Sequence, residues 1–160
     1  MKKQNGFSLI EVLMALAISG IIGAGITTFA IQTITETKRS SAHMQEIQQL
    51  ENAGFWVSRD VQMSQNVTTG PAAGFPLQLY WMDRDFNTFS VNYTMSGGTM
   101  MRTLVQNGGP PVQTLIAKSI STDPALTNCS YTDGLLTFKV TSSVGRSSMT
   151  RTYQVKKRTG

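Results

Sequence analysis

The sequence predicts an α+β protein in which a long N-terminal helix, apolar in its first half, carries an antiparallel β-sheet head on its second half. Three observations predict it. No ionisable residue lies between Glu11 and Glu36, no proline occurs before Pro71, and beyond about residue 68 the apolar residues change from helical spacing to alternation. The length of 160 residues is that of one ordinary domain, and only 14% of residues are charged against 40% hydrophobic. Part of the chain is therefore expected to avoid water.

Val12 to Thr35 is a run of 24 uncharged residues. As a helix rising about 1.5 Å per residue it reaches roughly 36 Å, enough to cross a hydrocarbon core of about 30 Å. Its polar members are mild: Ser19, Thr27, Thr28, Gln32, Thr33 and Thr35. Hydroxyls on a helix soften their own desolvation by bonding back to carbonyls of the preceding turn. Gly20, Gly23 and Gly25 lie inside the span, where they suit either close approach of helices in lipid or local unwinding when the helix changes surroundings.

Glu11 separates the readings of this segment. A secretory signal peptide cut after Ala15-Leu16-Ala17 would carry Glu11 in the middle of its apolar region, where a carboxylate costs a few kcal/mol. A plain anchor has the same difficulty. An acid at that depth needs a cation.

The residues Gly6-Phe7-Ser8-Leu9-Ile10-Glu11, after a short leader with Lys2 and Lys3 and before Val12 to Ile18, resemble the class III leader of type IV pilins and type II secretion pseudopilins. The resemblance implies that a prepilin peptidase cuts between Gly6 and Phe7 on the cytoplasmic face and methylates the new amine of Phe7. A β-carbon at Gly6 would obstruct that cut. The mature chain would be Phe7 to Gly160, 154 residues. Cleavage creates a cation one helical turn from the Glu11 carboxylate, either on the same chain or on a neighbour. In the family, the acid of an incoming subunit neutralises the terminal amine of the preceding one and so sets the stagger of a helical stack. A helix-kinking proline, common in this part of many pilins, is missing, with Thr28 in the region instead.

Past Glu36 the chain is more polar but keeps helical spacing, with Ile47, Leu50, Gly54, Val57 and Val61 on one narrow stripe. Helix from about Ser8 to Gln65 would run roughly 85 Å. Glu46, Glu51, Arg59 and Asp60 are expected on its solvated side, with salt bridges to neighbouring subunits as the alternative. Gln48 to Val61, with Phe55 and Trp56 ahead of Arg59-Asp60, is similar to the segment joining stem and head in the larger minor pilins and minor pseudopilins.

The remainder reads as strand. Leu77, Leu79 and Trp81 alternate with other residues, as do Phe89, Val91, Tyr93 and Met95; Met101 to Val105, Val112 to Ile116, Leu136 to Val140 and Met149 to Val155 follow. Asp83 to Asn87, Ser96-Gly97-Gly98, Asn107 to Pro111, Thr122-Asp123-Pro124 and Ser142 to Ser148 supply turn residues between them. A single antiparallel meander on the second half of the helix is the simplest closure. The expected organisation is a leader at 1–6, an apolar helix at 7–35, an amphipathic helix at 36–67 and a β-rich head at 68–160.

Raw material for catalysis is scarce. Cys129 and His43 are each alone, so neither a disulfide, a zinc knuckle nor a histidine-based triad is available, and no catalytic residue, cofactor or metal site is expected. Asp83, Asp85 and Asn87 begin like a calcium loop but lack the glycine and the distal glutamate, so a turn explains them better. The net charge of +5 is carried by Lys2, Lys3, Lys156, Lys157 and Arg158, which leaves the middle of the chain neutral and argues against nucleic acid as a partner. Three Asn-x-Ser/Thr triplets, at Asn66, Asn92 and Asn128, decide nothing in a Ser/Thr-rich chain.

The sequence thus suggests a non-enzymatic minor subunit of a type IV pilus or type II secretion pseudopilus. Its implied partners are prepilin peptidase, other subunits, the cytoplasmic membrane and an inner-membrane assembly platform. It would sit in that membrane by a single pass, head outside, before joining an extracytoplasmic filament. The alternatives are a DNA-uptake pilin using Lys156, Lys157 and Arg158, or a membrane-anchored adhesin or enzyme that uses the apolar segment only as an anchor.

Overall fold

The structure, a computed structural model, describes residues 8–145 and 147–157. One helix, α1 (Leu9–Met63), is followed only by antiparallel strands, so the class is α+β as predicted. The described chain divides after Ser41 into two compact units.

In the first unit α1 carries no charge on any side from Val12 to Thr35, and every residue of that stretch is exposed. Its best window has a mean hydropathy of 2.2, long and apolar enough to cross a membrane. The threonines behave as expected: Thr27, Thr28, Thr33, Thr35 and Thr37 each donate a hydroxyl hydrogen bond to the carbonyl four residues back, at 2.8–2.9 Å. Gly20, Gly23 and Gly25 stay helical, and a β-carbon at any of them would meet open space. The helix runs through Thr28 without a break.

In the second unit α1 is amphipathic. Of the predicted stripe Leu50, Gly54, Val57 and Val61 are buried and Ile47 half-buried, and Ala53 is buried beside them. The helix ends earlier than the expected 36–67 segment. Ser64 donates both its amide and its hydroxyl to the Val61 carbonyl, closing the last turn, and the Gln65 amide turns away to the Tyr80 carbonyl at 2.8 Å. Asn66 and Val67 are already strand.

The strands form two sheets rather than the single meander expected. β1 (Asn66–Gly70), β2 (Gly74–Met82), β3 (Thr88–Ser96), β4 (Thr99–Gln106) and β5 (Val112–Ala117) make a five-stranded antiparallel meander. β6 (Asn128–Thr132), β7 (Leu135–Val144) and β8 (Ser147–Lys156) make a second, three-stranded one. The chain leaving β5 pairs with the second half of β7, where β6 has ended: the Ser121 amide donates to the Thr141 carbonyl and the Ser143 amide to the Ser119 carbonyl, both at 2.8 Å. That crossing is made by backbone alone, which is why apolar alternation does not announce it.

The core lies where the helix stripe meets both sheets, with Leu77, Leu79 and Val91 from the first and Leu136, Phe138 and Val140 from the second. Two glycines permit close approaches. Gly54 leaves room for the Tyr153 ring, whose hydroxyl donates to the Leu50 carbonyl at 3.0 Å, although glycine in a helix costs up to about 1 kcal/mol. Gly74, at φ +88°, lies against the Cys129 carbonyl, where a β-carbon would collide with backbone.

Cys129 is buried and its thiol donates to the Gly74 carbonyl at 3.0 Å. Burial pushes the thiol up to about 12, whereas an exposed one ionises near 9. Between those values the unfolded chain binds fewer protons than the folded one, so this group's contribution to stability is intact below pH 9 and declines as pH rises through the window. Native protein at pH 8 is expected to react with a disulfide reagent at least about 100-fold more slowly than unfolded protein. Equal rates would contradict the burial.

Candidate assembly site and the buried anchors of the head

Of the three residues that the leader resemblance picks out, Gly6 and Phe7 lie outside the described residues. Glu11 lies in the first turn of α1. Its Oε2 accepts the Ser8 amide at 2.9 Å, and the Ile10 amide donates to Ser8 Oγ at 3.4 Å. Ser8-Leu9-Ile10-Glu11 is thus a reciprocal capping box that satisfies amides no helical carbonyl can reach. The Ser-x-x-Glu spacing is the sequence signature of such a box, and weighing Glu11 for its charge alone overlooks it. The position also suits a carboxylate electrostatically, since the helix N-terminus carries partial positive charge. Beyond Glu11 the same face is mainly apolar: Val12, Ala15 and Leu16, with the hydroxyl-bearing Ser19, line a shallow groove with it.

The second unit holds two carboxylates that were expected on a solvated face and are not there. Glu46 and Asp60 are both 0% exposed. Spacing explains the correction: Asp60 follows Val57 by three residues and Glu46 precedes Leu50 by four, so both fall on the buried stripe. Glu51 and Arg59 are exposed, and Glu51 forms an ion pair with Arg151 of the same chain.

Asp60 is held by charge and hydrogen bonds together. Its Oδ2 accepts the Tyr93 hydroxyl at 2.6 Å and the Arg102 Nε at 2.6 Å, joining α1 to β3 and β4. Its Oδ1 is buried without a partner. Burial works against the Arg102 charge, but the bond and attraction to Asp60 outweigh it and hold the guanidinium above its ordinary range. Burial, and then the Asp60 charge, push the Tyr93 phenol up. The Arg102 guanidinium also lies over the Trp56 ring, 5.0 Å from its centroid, and Arg59 lies 4.9 Å from the same ring. The Trp56 to Asp60 segment therefore supplies both the anion and the aromatic platform that seat a buried arginine.

Glu46 anchors the hairpin between β7 and β8. Its Oε1 accepts the Val144 amide at 3.1 Å and its Oε2 the Ser147 hydroxyl at 2.8 Å, with His43 Nδ1 at 3.5 Å. Nearby, helix side-chain amides finish the edge of the first sheet. Asn52 Nδ2 donates to the Ile116 carbonyl at 2.6 Å, and Gln49 Oε1 accepts the Lys118 amide at 2.7 Å.

The remaining candidates have local explanations. Asp83 Oδ1 accepts the amides of Asp85 and Asn87 at 2.9 Å each, and its Oδ2 accepts Asn87 Nδ2 at 3.0 Å, which is the work of a turn. The Asn87 bond, foremost, holds the Asp83 carboxyl below its usual range. Among the described residues no group of three or more His, Cys, Asp or Glu side chains is placed to hold a metal. Lys157 Nζ donates to the Gln65 carbonyl at 3.0 Å, tying that part of the basic C-terminal cluster to the end of α1; Arg158 lies outside the described residues.

Removing one partner of a buried ion pair strands the other. Asp60→Ala is expected to destabilise the head by about 3–5 kcal/mol in urea unfolding, while Asp60→Leu combined with Arg102→Met recovers most of that loss. A cost for Asp60→Ala no larger than that of a surface substitution, about 0.5 kcal/mol, would contradict this anchor.

Residues 1–27 match the family model described as the prokaryotic N-terminal methylation motif. No curated protein and no solved structure matches the chain. The matched segment contains Gly6, Phe7 and Glu11 and runs into the apolar part of α1. The chain thus carries a prokaryotic N-terminal methylation motif ahead of a long apolar helix that leads into antiparallel sheets, an arrangement that supports a type IV pilin-like prepilin.

Proposed function

We propose that this chain is a structural subunit, of the minor kind, of a type IV pilus or type II secretion pseudopilus, and that its mechanism is assembly rather than turnover. In this reading prepilin peptidase cuts after Gly6 and methylates the amine of Phe7. The apolar part of α1 holds the subunit in the cytoplasmic membrane with the head outside, until the assembly platform brings it against other subunits.

The observation that carries the reading is Glu11. It is the only ionisable residue from Ser8 to Thr35, on a helix otherwise apolar on every side, and among the described residues of its own chain it meets only the Ser8 amide. One hydrogen bond leaves most of a carboxylate's desolvation uncompensated in lipid. The amine released at Phe7, its own or a neighbour's, is a cation within one helical turn of the place where it is needed. The minor assignment draws on the absence of a proline before Pro71, the single cysteine and the likeness of Gln48 to Val61 to the segment joining stem and head in minor pilins and pseudopilins.

Glu11→Ala tests assembly apart from anchoring. The variant is expected to enter the membrane and be cleaved normally, yet to fall more than about tenfold in sheared filaments, since loss of even part of a buried pair exceeds about 1.4 kcal/mol. Assembly at the wild-type level would leave residues 7–35 as a plain anchor and overturn the proposal.

A further inference from the structure

The five strands β1 to β5 contain one charged residue, Arg102, and it is buried against Asp60 of α1. The face that they turn away from α1 is therefore uncharged throughout, although a solvated sheet face ordinarily mixes charges among its polar residues. Across the middle of that face the register aligns Thr68, Gln78, Asn92, Thr103 and Gln113, one from each strand in spatial order. Neighbouring strands lie about 4.8 Å apart, so the row crosses the sheet over roughly 19 Å.

These five side chains brace nothing. None makes a hydrogen bond to another described residue, and Asn92 Oδ1, at the centre of the row, is covered without a donor. Asn52, Asn107 and Thr141, by contrast, use their side chains to tie parts of the head together. Each carboxamide of the row offers two donors and an acceptor, and each hydroxyl one donor and two acceptor positions. The exposed Tyr80 ring, in register with Ser90, flanks the row on one side, and Met101 and Leu115 flank it on the other.

Those properties select a class of ligand. A nucleic acid would need cations on the face, and an extended peptide pairs with a sheet edge through its backbone rather than with a sheet face. A second copy of the same face would lack the apolar interdigitation that holds packed sheets together and would bury unbonded carboxamides. Evenly spaced, uncharged donors and acceptors on an open face are matched by a flat chain whose own hydroxyls both donate and accept along its length. The apolar faces of its rings suit the Tyr80 side chain, which is apolar in its body and polar at its tip.

We propose that the outer face of the first sheet binds an extended, uncharged polysaccharide ribbon, of the kind found in cellulose and chitin, laid across the strands along the row from Thr68 to Gln113. The binding concerns the head alone, and stands or falls separately from the role of Glu11.

The full-length chain, kept in a polyoxyethylene detergent so that no glycoside detergent competes, is mixed with amorphous cellulose and with chitin. Retention on at least one of them is expected, and it should hold between about 0.05 and 0.5 M salt because no ion pair is involved. Gln78→Ala combined with Gln113→Ala removes two exposed carboxamides and should lower retention at least about tenfold. Tyr80→Ala should lower it as well, whereas Lys118→Gln, off the face, should not. These positions are exposed or partly so, and Tm should be unchanged in the double variant. No retention on either polysaccharide would overturn the proposal, as would retention that the double variant leaves intact or that salt abolishes. A double variant that loses self-association in analytical ultracentrifugation rather than retention would give the face to a second copy and overturn it too.

Discussion

A carboxylate held away from water must find a partner, and the second unit of this chain meets that constraint twice. Asp60 meets it with Arg102 and Tyr93, and Glu46 with the Val144 amide and the Ser147 hydroxyl. Both partner sets come from strands distant in sequence, so satisfying the charge also fixes where the helix lies on the two sheets. Non-directional burial of Leu50, Val57 and Val61 would tolerate a turn of the helix about its axis, but two carboxylates with dedicated donors do not. Glu11 is the contrasting case. Its chain supplies one amide, that of Ser8 at the helix start, and the rest of its compensation, on the proposed reading, comes from an amine created by proteolysis.

That contrast divides the molecule's chemistry. The second unit closes its helix and sheet edges from within: Tyr153 seats itself on Gly54, and Asn52 and Gln49 finish the end of β5. The described part of the first unit closes nothing except its own backbone, through the Ser8–Glu11 box and the threonine hydroxyls. A helix apolar on every side is a stable object only in lipid or among other helices.

Much of this is legible in the sequence because periodicity reports burial. The uncharged run to Thr35 and the stripe from Leu50 to Val61 translate directly into the helix, and alternation around Leu77, Val91 and Phe138 into strands. β1 and β6 are not legible. Each is five residues long, polar, and buries a single side chain, Val67 or Cys129, because each lies at a sheet edge. The second sheet is hidden for a related reason: Ser119 to Ser121 join β7 through main-chain bonds that carry no side-chain pattern. Charge misplaces Glu46 and Asp60, although their spacing is correct for the core. Trusting the period over the residue type exposes both, and with them the need for a buried arginine. At the N terminus the resemblance draws attention to Glu11 and away from Ser8, whose spacing to it marks the helix start.

If Glu11 is placed to meet an amine that processing creates, the new N terminus must exist in the cell. The most direct measurement is the mass of the N-terminal peptide of the protein recovered from its native membrane or from sheared filaments. A peptide that begins at Phe7 and carries one added methyl group is the predicted result. A chain that begins at Met1, or after Ala17, would contradict it and leave an anchored or secreted domain in place of a filament subunit.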